Sequence, residues 1–325
     1  MPSKRAAVVG WTRGGRFEDF RSSVAFVLRE WRIRGRIHDS GDTLTLEGPE
    51  PISVASALRG LPGVAWVAAG RSGRSLGELA AEARDLAKVY VRRESGFAVF
   101  GEGPTSRDAS DLCGMLTSSI LEAVKGARVS TDSPEVVFRA TFDGTSGAVG
   151  VEVAAGPGGI PTGSEGVACL VSGGLHSTVL AWFSVLQGLR VTLVHAEAGE
   201  SGLRAVAGLY AELSHRADPR WLKVEVLSGG SVLSSLSRYA TRSKVPVYSG
   251  ISRTGETPPP LPSKVTAPLY LMPQERFLSE FDMLGLRGSE DKTDWKRPDA
   301  RAAGTREFGG KRADLSEVLD SLAPA

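Results

Sequence analysis

One short stretch of the chain, residues 167–180, combines residue types that can bind a phosphate-bearing small molecule. An apolar run ends in Ser172, Gly173 and Gly174, and an apolar helical pattern opens at Ser177. A strand that turns through glycines into a helix N-terminus directs backbone N–H groups toward one point, which is how proteins bind anions. Glycines have no side chain, so a phosphate can approach their main chain closely. The stretch therefore predicts a phosphate-binding bend.

The two cysteines, Cys113 and Cys169, offer no second site of this kind. They lie far apart in apolar settings and give neither a zinc-binding spacing nor a disulfide framework. We interpret both as small buried hydrophobic side chains. Cys169 precedes the bend inside a strand, where burial makes a thiol unreactive. No metal site is predicted, and no catalytic side chain is assigned.

The elements that must position the bend follow a glycine- and proline-rich linker at residues 156–163. Apolar strands are predicted at 167–172, 190–195, 221–226 and 245–248, and the helices between them at 177–187, 202–214 and 231–243. Strands that alternate with helices are typical of a doubly wound parallel sheet. A last helix is predicted at Leu278–Leu286. Residues 287–313 are charged and poorly periodic, so we expect a loosely held tail that closes with a helix at Leu315–Leu322.

Two smaller modules are predicted before the linker. Residues 6–68 follow the ferredoxin-like α+β order of strand, helix, strand, strand, helix and strand, predicted at 6–10, 17–31, 33–37, 43–46, 51–58 and 63–68. A break is expected at 69–75. A second α/β module then combines helices at 76–91 and 106–124, the latter with Ser106 as its candidate cap, with strands at 97–100, 136–142 and 147–154.

The predicted fold class is therefore α+β followed by α/β, in four segments. Residues 1–72 form a ferredoxin-like domain, residues 73–164 a second α/β domain, residues 165–286 the doubly wound domain, and residues 287–325 a charged tail. A chain of 325 residues with 41% hydrophobic and 23% charged residues is long enough for several cores. No apolar run is long enough to span a bilayer. The N-terminus leads into a strand without a signal-peptide core, and we expect a cytoplasmic protein.

Charge is distributed unevenly along the chain. The net charge is only +2, but residues 1–100 contain sixteen Lys and Arg against eleven Asp and Glu. The arginines form two sequence clusters that could meet RNA phosphates: Arg32, Arg34 and Arg36 near the first helix end, with Arg29 beside them, and Arg71, Arg74, Arg92 and Arg93 at the junction of the first two modules. The alternative is a solvated charged face balanced by nearby acids. If these arginines do bind RNA, a folded RNA is the expected form, because no aromatic stripe for single strands is present.

The two modules, the linker Gly156-Pro-Gly-Gly-Ile-Pro-Thr-Gly-Ser-Glu-Gly166 and the following Leu-Val-Ser-Gly-Gly174 together resemble the tRNA 4-thiouridine synthetase family. The resemblance covers residues 1 to about 285. In that family a ferredoxin-like domain and a THUMP domain hold tRNA. A PP-loop ATP pyrophosphatase domain then adenylates a uridine, so that sulfur can replace its carbonyl oxygen. The resemblance implies the same three folds here.

The family pattern Ser-Gly-Gly-x-Asp-Ser stands here as Ser172-Gly173-Gly174-Leu175-His176-Ser177. By resemblance these six positions would cradle the phosphates of ATP, with Mg²⁺ as its companion ion. His176 replaces the acidic residue and cannot offer Mg²⁺ a carboxylate. Its imidazole could still contact a phosphate, or it could be a half-exposed residue with no role.

Two further positions are implied by the resemblance. The strand that ends at His195 lies where the family places residues beside the adenine, although a polar strand end without a role is the alternative. The strand that ends at Gly250 resembles the one before the family's Gly-Glu-Ser-Leu-Gly-Gln signature. Here Gly250 is followed by Ile251-Ser-Arg-Thr-Gly255, so most of that signature is missing.

Two functions follow as alternatives. The first is a tRNA-binding protein that adenylates a tRNA uridine with ATP, ahead of thiolation by a separate sulfur-donor protein, because no cysteine follows Cys169. The second is a non-catalytic RNA-binding protein whose PP-loop domain has decayed into a scaffold. An enzyme acting on a small molecule is disfavoured by the two preceding modules. The sequence predicts no membrane partner, and a homodimer is compatible with the small first module.

Overall fold

The structure, a computed structural model, divides into two compact units at the peptide between residues 161 and 162. The described residues are 4–161, 163, 165–196, 199–251, 264–273, 275–276, 278–279, 298–309 and 311–322. Among them no helix has both the length and the apolarity needed to cross a membrane.

The first unit is one eight-stranded sheet with four helices. Its strands are β1 (Arg5–Trp11), β2 (Arg36–Ser40), β3 (Thr43–Glu47), β4 (Val64–Gly73), β5 (Gly96–Glu102), β6 (Arg128–Val129), β7 (Val136–Phe142) and β8 (Gly147–Ala155). Its helices are α1 (Phe17–Glu30), α2 (Pro51–Leu58), α3 (Leu76–Tyr90) and α4 (Ser106–Ala123). The strand order is β2-β3-β1-β4-β8-β7-β5-β6. The antiparallel half β2-β3-β1-β4 is the predicted ferredoxin-like arrangement.

The helices of this unit cover the sheet through two apolar clusters. In α1 the side chains of Phe20, Val24 and Val27 recur at helical spacing, and all three are buried against the strands and α2. A second cluster joins α3 and α4 to the β5–β7–β8 half, with Leu112 and Phe138 fully buried. Each half of the sheet therefore has its own core.

The break expected at residues 69–75 is absent, because β4 continues through Gly73 and pairs with β8. Gly70 explains the continuity. A Cβ atom placed there would lie 1.9 Å from the carbonyl oxygen of Val149, so only glycine lets the two strands approach this closely. The glycine and polar residues that suggested a boundary instead permit strand pairing. The domain boundary after residue 72 stays a prediction, and the two halves share one continuous sheet.

The second unit is a six-stranded sheet with helices on both faces. Its strands are β9 (Gly166–Leu170), β10 (Arg190–Ala196), β11 (Leu222–Ser231), β12 (Val247–Ser249), β13 (Val265–Thr266) and β14 (Pro298–Gly309). Its helices are α5 (Leu175–Leu186), α6 (Glu200–Arg216), α7 (Val232–Arg242) and α8 (Leu315–Leu322). Helices α5, α6 and α8 pack on one face and α7 on the other. The predicted α/β class is confirmed.

The strand order β13-β12-β9-β10-β11-β14 positions the site. Strands β12, β9, β10 and β11 are parallel, and the chain starts at β9, continues to β10 and β11, and then returns to β12 on the other side of β9. The order therefore reverses at β9. In an open parallel sheet the carboxyl end of such a reversal is where ligands bind, because the two connections diverge there and leave a crevice.

The prediction of a loosely held segment at 287–313 is wrong for the residues of it that the structure describes. Strand β14 pairs antiparallel with β11, and α8 follows as predicted. Val318 and Leu322 are fully buried, and the Tyr210 hydroxyl donates a 2.7 Å hydrogen bond to the Lys311 carbonyl. The sequence of this segment lacks the alternation of a strand, so it did not predict β14. The strand is held in place by its backbone pairing with β11. Residues 287–297 lie outside the described part.

Three smaller expectations have different outcomes. The N-cap of α4 is Thr105 rather than Ser106, because Thr105 and Asp108 form a reciprocal capping box. The strand expected at 33–37 begins only at Arg36, because Ile33 still belongs to the end of α1. The helix predicted at Leu278–Leu286 lies almost wholly outside the described residues.

Candidate functional site

The bend after β9 is held by hydrogen bonds among its own residues. Gly173 has a φ angle of +87°, a left-handed conformation that favours glycine. The Ser177 hydroxyl accepts from the backbone N–H of Ser172 at 3.3 Å and donates to the carbonyl of Gly174 at 3.0 Å. Ser177 is 6% exposed, so its side chain fastens the bend from inside rather than pointing outward.

Helix α5 begins at the bend, at Leu175, two residues earlier than predicted. Gly174 is its N-cap and provides no side-chain cap. The first N–H groups of a helix have no acceptor within the helix, and they carry the positive end of its dipole. The bend therefore directs main-chain donors outward from the carboxyl edge of the sheet.

Gly250 packs directly on this helix start. A Cβ atom at position 250 would lie 2.6 Å from the Ser177 nitrogen and 2.7 Å from the carbonyl of His176. Since β12 pairs with β9, Gly250 follows β12 at the same sheet edge as the bend. The structure thus brings Gly250 and the bend together, although the two predicted positions are far apart along the chain. Both Gly250 and Gly173 are buried, so the bend is closely packed at the reversal of strand order, and Gly174, Leu175 and His176 are its partly exposed residues.

Helix α6 packs against the bend, and this contact was not predicted from the sequence. A Cβ atom at Gly173 would lie 2.5 Å from the Ala205 side chain. A Cβ atom at Gly202 would lie 3.0 Å from Cε1 of His195. A glycine within a helical pattern often marks such a close approach, so Gly202 was the available signal.

His195 lies inside the protein rather than beside a ligand. It is 1% exposed, and its Nδ1 is 2.9 Å from the carbonyl oxygen of Val171. Its ring packs on the Gly202 side of α6. The burial of His195 does not support the contact with adenine that the resemblance implies. Its contacts join the residue before the bend to α6, so it can position the bend but has no surface for adenine.

His176 is half-buried in the first turn of α5. Burial lowers the pKa of its imidazole, which favours the neutral ring near pH 7. The first turn of α5, described in full, contains no acidic residue. Within the described residues no group of three or more His, Cys, Asp or Glu is arranged to hold a metal ion. The bend therefore fits a phosphate by its main-chain donors but provides no carboxylate for Mg²⁺.

Cys169 lies within β9 and is fully buried. Burial raises the pKa of its thiol to about 12, and the sulfur lies 3.4 Å from the Ser184 hydroxyl. A thiolate is the reactive form of cysteine, so this side chain is chemically silent at neutral pH. The burial predicted for Cys169 is confirmed.

The first predicted arginine cluster lies at one end of the first unit. Arg32 and Arg34 are in the connection after α1, Arg36 begins β2, and all three are exposed. Among the residues the structure describes, none forms an ion pair with any of the three. Unpaired guanidinium groups on a common connection are available to meet phosphates.

The second predicted cluster does not form one group. Arg71 and Arg74 precede α3, whereas Arg92 and Arg93 follow it. A helix of this length separates its ends by roughly 22 Å at 1.5 Å per residue. Arg71 also forms an ion pair with Glu82 at 3.4 Å. The two pairs of arginines lie apart in space because the unbroken helix α3 separates them.

Comparison with known proteins identifies relatives in sequence. The chain is 34% identical over 173 residues to the tRNA sulfurtransferase of Pyrobaculum aerophilum, a match that covers 51% of this chain and 33% of the relative. It is 32% identical over 130 residues to the tRNA sulfurtransferase of Desulfurococcus amylolyticus, covering 39% and 27%. The matched parts thus span a third or less of these relatives. No protein-family model matches the chain.

Two solved structures share the fold. A 4-thiouridine synthetase in complex with RNA and bound ATP matches with a TM-score of 0.64 at 14% identity, covering 98% of this chain and 94% of the other. PH1313 from Pyrococcus horikoshii matches with a TM-score of 0.64 at 19% identity, covering 87% and 100%. These findings confirm the resemblance to the tRNA 4-thiouridine synthetase family and the predicted fold class.

Proposed function

We propose that this protein binds tRNA and uses ATP to adenylate one of its uridines, ahead of thiolation by a separate sulfur donor. The observation that carries the proposal is the start of α5 at the strand-order reversal, where Gly173 and Gly250 are buried in close packing and Gly174 is partly exposed, in a chain related to tRNA sulfurtransferases. Substrate, activity and partners are inferences for this chain, supported by that geometry and by the RNA and ATP held by its structural neighbour.

The ATP phosphates would lie against the start of α5. Gly174 is partly exposed at the N-cap, and Ser172 and Ser177 hold the bend in shape through their hydroxyl groups. A Cβ atom at Gly250 would push on the helix start, so glycine at this buried position keeps α5 in place. Helix N-terminal donors are suited to a polyphosphate because they stabilise negative charge without a counter-charge of their own.

The proposed reaction is a substitution at the α-phosphate of ATP. The uridine carbonyl oxygen attacks that phosphorus, the bond to the bridging oxygen of the β-phosphate breaks, and pyrophosphate leaves with the electron pair. Negative charge builds up on the pyrophosphate as the bond breaks. Donors fixed by the fold stabilise that charge without reorganising, and this is the role we assign to the bend and the start of α5.

His176 distinguishes this site from one built around a carboxylate-held metal. Its half-buried, largely neutral ring can contact a phosphate but does not repel it. Mg²⁺, if it accompanies ATP, would be held by phosphate oxygens and water, which is common for this ion. Leu175, the other variable position of the pattern, contributes its backbone at the first residue of α5.

The first unit would hold the RNA. Arg32, Arg34 and Arg36 are exposed and unpaired within the described residues, and guanidinium groups make bidentate contacts to phosphate. Arg74, Arg92 and Arg93 would add contacts at the two ends of α3. The sulfur would come from another protein, because the one cysteine near the bend is buried and protonated. A cytoplasmic location and a homodimer remain predictions.

Pyrophosphate release tests the proposal. The full chain is incubated with ATP and Mg²⁺, with or without a tRNA transcript, and pyrophosphate is measured by a coupled assay. Release that depends on the transcript is expected. Binding of both ligands without release would support the non-catalytic alternative instead. Absence of RNA binding would reject both.

A further inference from the structure

A hollow of about 550 Å³ opens beside the C-terminal end of α1 in the first unit. Its floor is apolar and includes Ala25, Ile33 and Ile37, with the buried Leu28 and Leu46 beneath. Three exposed arginines line it, namely Arg29, Arg32 and Arg34. The volume lies within the range of pockets that hold small organic ligands.

The backbone at the hollow is strained at one residue. The N–H of Ile33 donates to the carbonyl of Leu28 and the N–H of Arg32 donates to the carbonyl of Arg29, both at 2.9 Å. This is a Schellman motif, in which the residue after the helix cap takes a left-handed conformation and is usually glycine. Here that residue is Arg32, with a φ angle of +55°. A side chain at such a position is unfavourable and points to a use for it.

Glycine does occur nearby where close packing requires it. A Cβ atom at Gly35 would lie 2.7 Å from the ring of Pro49 and 2.9 Å from the carbonyl of Glu47. Gly35 therefore closes the connection tightly against the end of β3 and forms one wall of the hollow. The glycine that the Schellman motif favours is absent three positions earlier, where Arg32 stands.

The charge of the hollow is not neutralised by the protein. In the part of the chain that the structure describes, no ion pair and no side-chain hydrogen bond engages the guanidinium groups of Arg29, Arg32 or Arg34. Arg29 lies in the last turn of α1, where the helix dipole favours a cation. Arg32 follows the helix in a strained conformation, and the helix dipole does not explain an arginine there. It is therefore the residue that most strongly indicates a ligand.

We propose that this hollow receives one unpaired nucleotide of the bound RNA. The apolar floor would cover the face of the base, and the arginines would contact the flanking phosphates and donate hydrogen bonds to the base edge. Apolar surface inside a ring of unpaired cations matches the chemistry of a nucleotide, which is flat and apolar on its faces and anionic on its backbone. This inference rests on the proposed RNA binding and makes it specific.

The test compares RNA hairpins of identical stem sequence, with and without a single bulged nucleotide, binding to the full chain. The expected result is about five- to 150-fold tighter binding of the bulged hairpin, which corresponds to the roughly 1–3 kcal/mol that one stacked base contributes. A 5-iodouridine at the bulge should crosslink within residues 25–49. Equal binding of both hairpins, with the tRNA transcript still bound, would overturn this inference and leave the proposed function intact. Failure to bind the transcript would overturn both.

Arg32→Gly separates binding from folding. Glycine fits the left-handed position, so the variant should unfold about 2–4 °C higher while losing most of the preference for the bulge. Arg13→Gly is the matched control, because Arg13 has a φ angle of +59° and pairs with Asp42 instead of lining the hollow. The control should keep the preference. An unchanged preference in Arg32→Gly would overturn the proposal and favour an acidic protein segment as the occupant.

Discussion

Gly250 is the residue at which one added methyl group would disturb the bend most directly. We expect Gly250→Ala to destabilise the second unit by about 1–3 kcal/mol, because the methyl group overlaps main-chain atoms of His176 and Ser177 that cannot move independently of α5. The same shift should weaken ATP binding. Urea unfolding and calorimetric titration with ATP measure the two effects.

Gly208→Ala is the control for this change. Gly208 lies within α6, and no atom lies within 4 Å of a Cβ placed there. Alanine is the better helix former, so this variant should gain up to about 1 kcal/mol and bind ATP normally. If both variants bind ATP equally well, the surface at Gly250 is not part of an ATP site.

His176 decides how the site uses a metal ion. With the native histidine, ATP affinity should depend little on Mg²⁺, because the first turn of α5 offers no carboxylate. His176→Asp should make ATP binding Mg²⁺-dependent: weaker in EDTA, where the carboxylate repels the phosphates, and tighter with Mg²⁺, which bridges the two. Calorimetry with and without Mg²⁺ measures the difference.

His176→Gln is the neutral comparison and should resemble the native protein in both conditions. An aspartate variant whose ATP affinity does not change with Mg²⁺ would mean that position 176 does not face the phosphates.

The Ser-Gly-Gly bend was predictable from the sequence, because glycines before an apolar helix have few other uses. The inward turn of Ser177 and the burial of His195 were not predictable, since both depend on contacts across the strand and with α6.

At the level of elements, strand β9 determines the fate of the cysteine nearest the bend. Its side chains alternate between the two helical layers, and Cys169 faces the α5 and α6 side in a closed core. We expect the Cys169 thiol of a Cys113→Ser variant to resist Ellman's reagent at pH 8 in the native state and to react fully in guanidinium. Cys113, which is only partly buried, should react faster in the reciprocal Cys169→Ala variant.

Rapid labelling of native Cys169 would contradict the separate-donor part of the account, since an accessible thiol beside the bend could carry sulfur itself. Activity with an external sulfur source should survive Cys169→Ala.

The C-terminal helix α8 is part of the core of the second unit. Leu322→Ala should cost about 2–5 kcal/mol, because Leu322 is fully buried in the cluster that includes α6. Leu315→Ala at the exposed start of the same helix should cost about 0.5 kcal/mol. Chemical unfolding followed by circular dichroism gives both values. Equal, small effects would mean that the segment is held as loosely as its composition suggests.

An element could be predicted from the sequence when its own side chains show an apolar period. Helices such as α1 and α4 have an apolar period of their own, and they were predictable within a residue or two. Strand β14 has none, because its place at the sheet edge is fixed by backbone pairing with β11 rather than by side chains. The continuation of β4 past Gly70 was hidden for a related reason, since glycine suits both a break and a close strand pair.

At the scale of the whole molecule, the two units divide the proposed work. The first contributes exposed arginines on a continuous sheet scaffold, and the second contributes the Ser-Gly-Gly bend at the reversal of a parallel sheet, where we propose that ATP binds. The relatives in sequence are tRNA sulfurtransferases, and this chain matches a third or less of their length. The proposal gives RNA binding and activation of the uridine to these two units, and it gives sulfur transfer to a partner because Cys169 is buried.

Transfer of label from ATP to tRNA tests this assignment most directly. The full chain is incubated with a tRNA transcript and ATP labelled at the α-phosphate, and the RNA is separated on an acidic gel. The account predicts that label appears on the tRNA with the native protein, falls sharply with Gly250→Ala, and is released as AMP when sulfide is added. If ATP and tRNA both bind and the tRNA stays unlabelled, the protein does not activate the uridine.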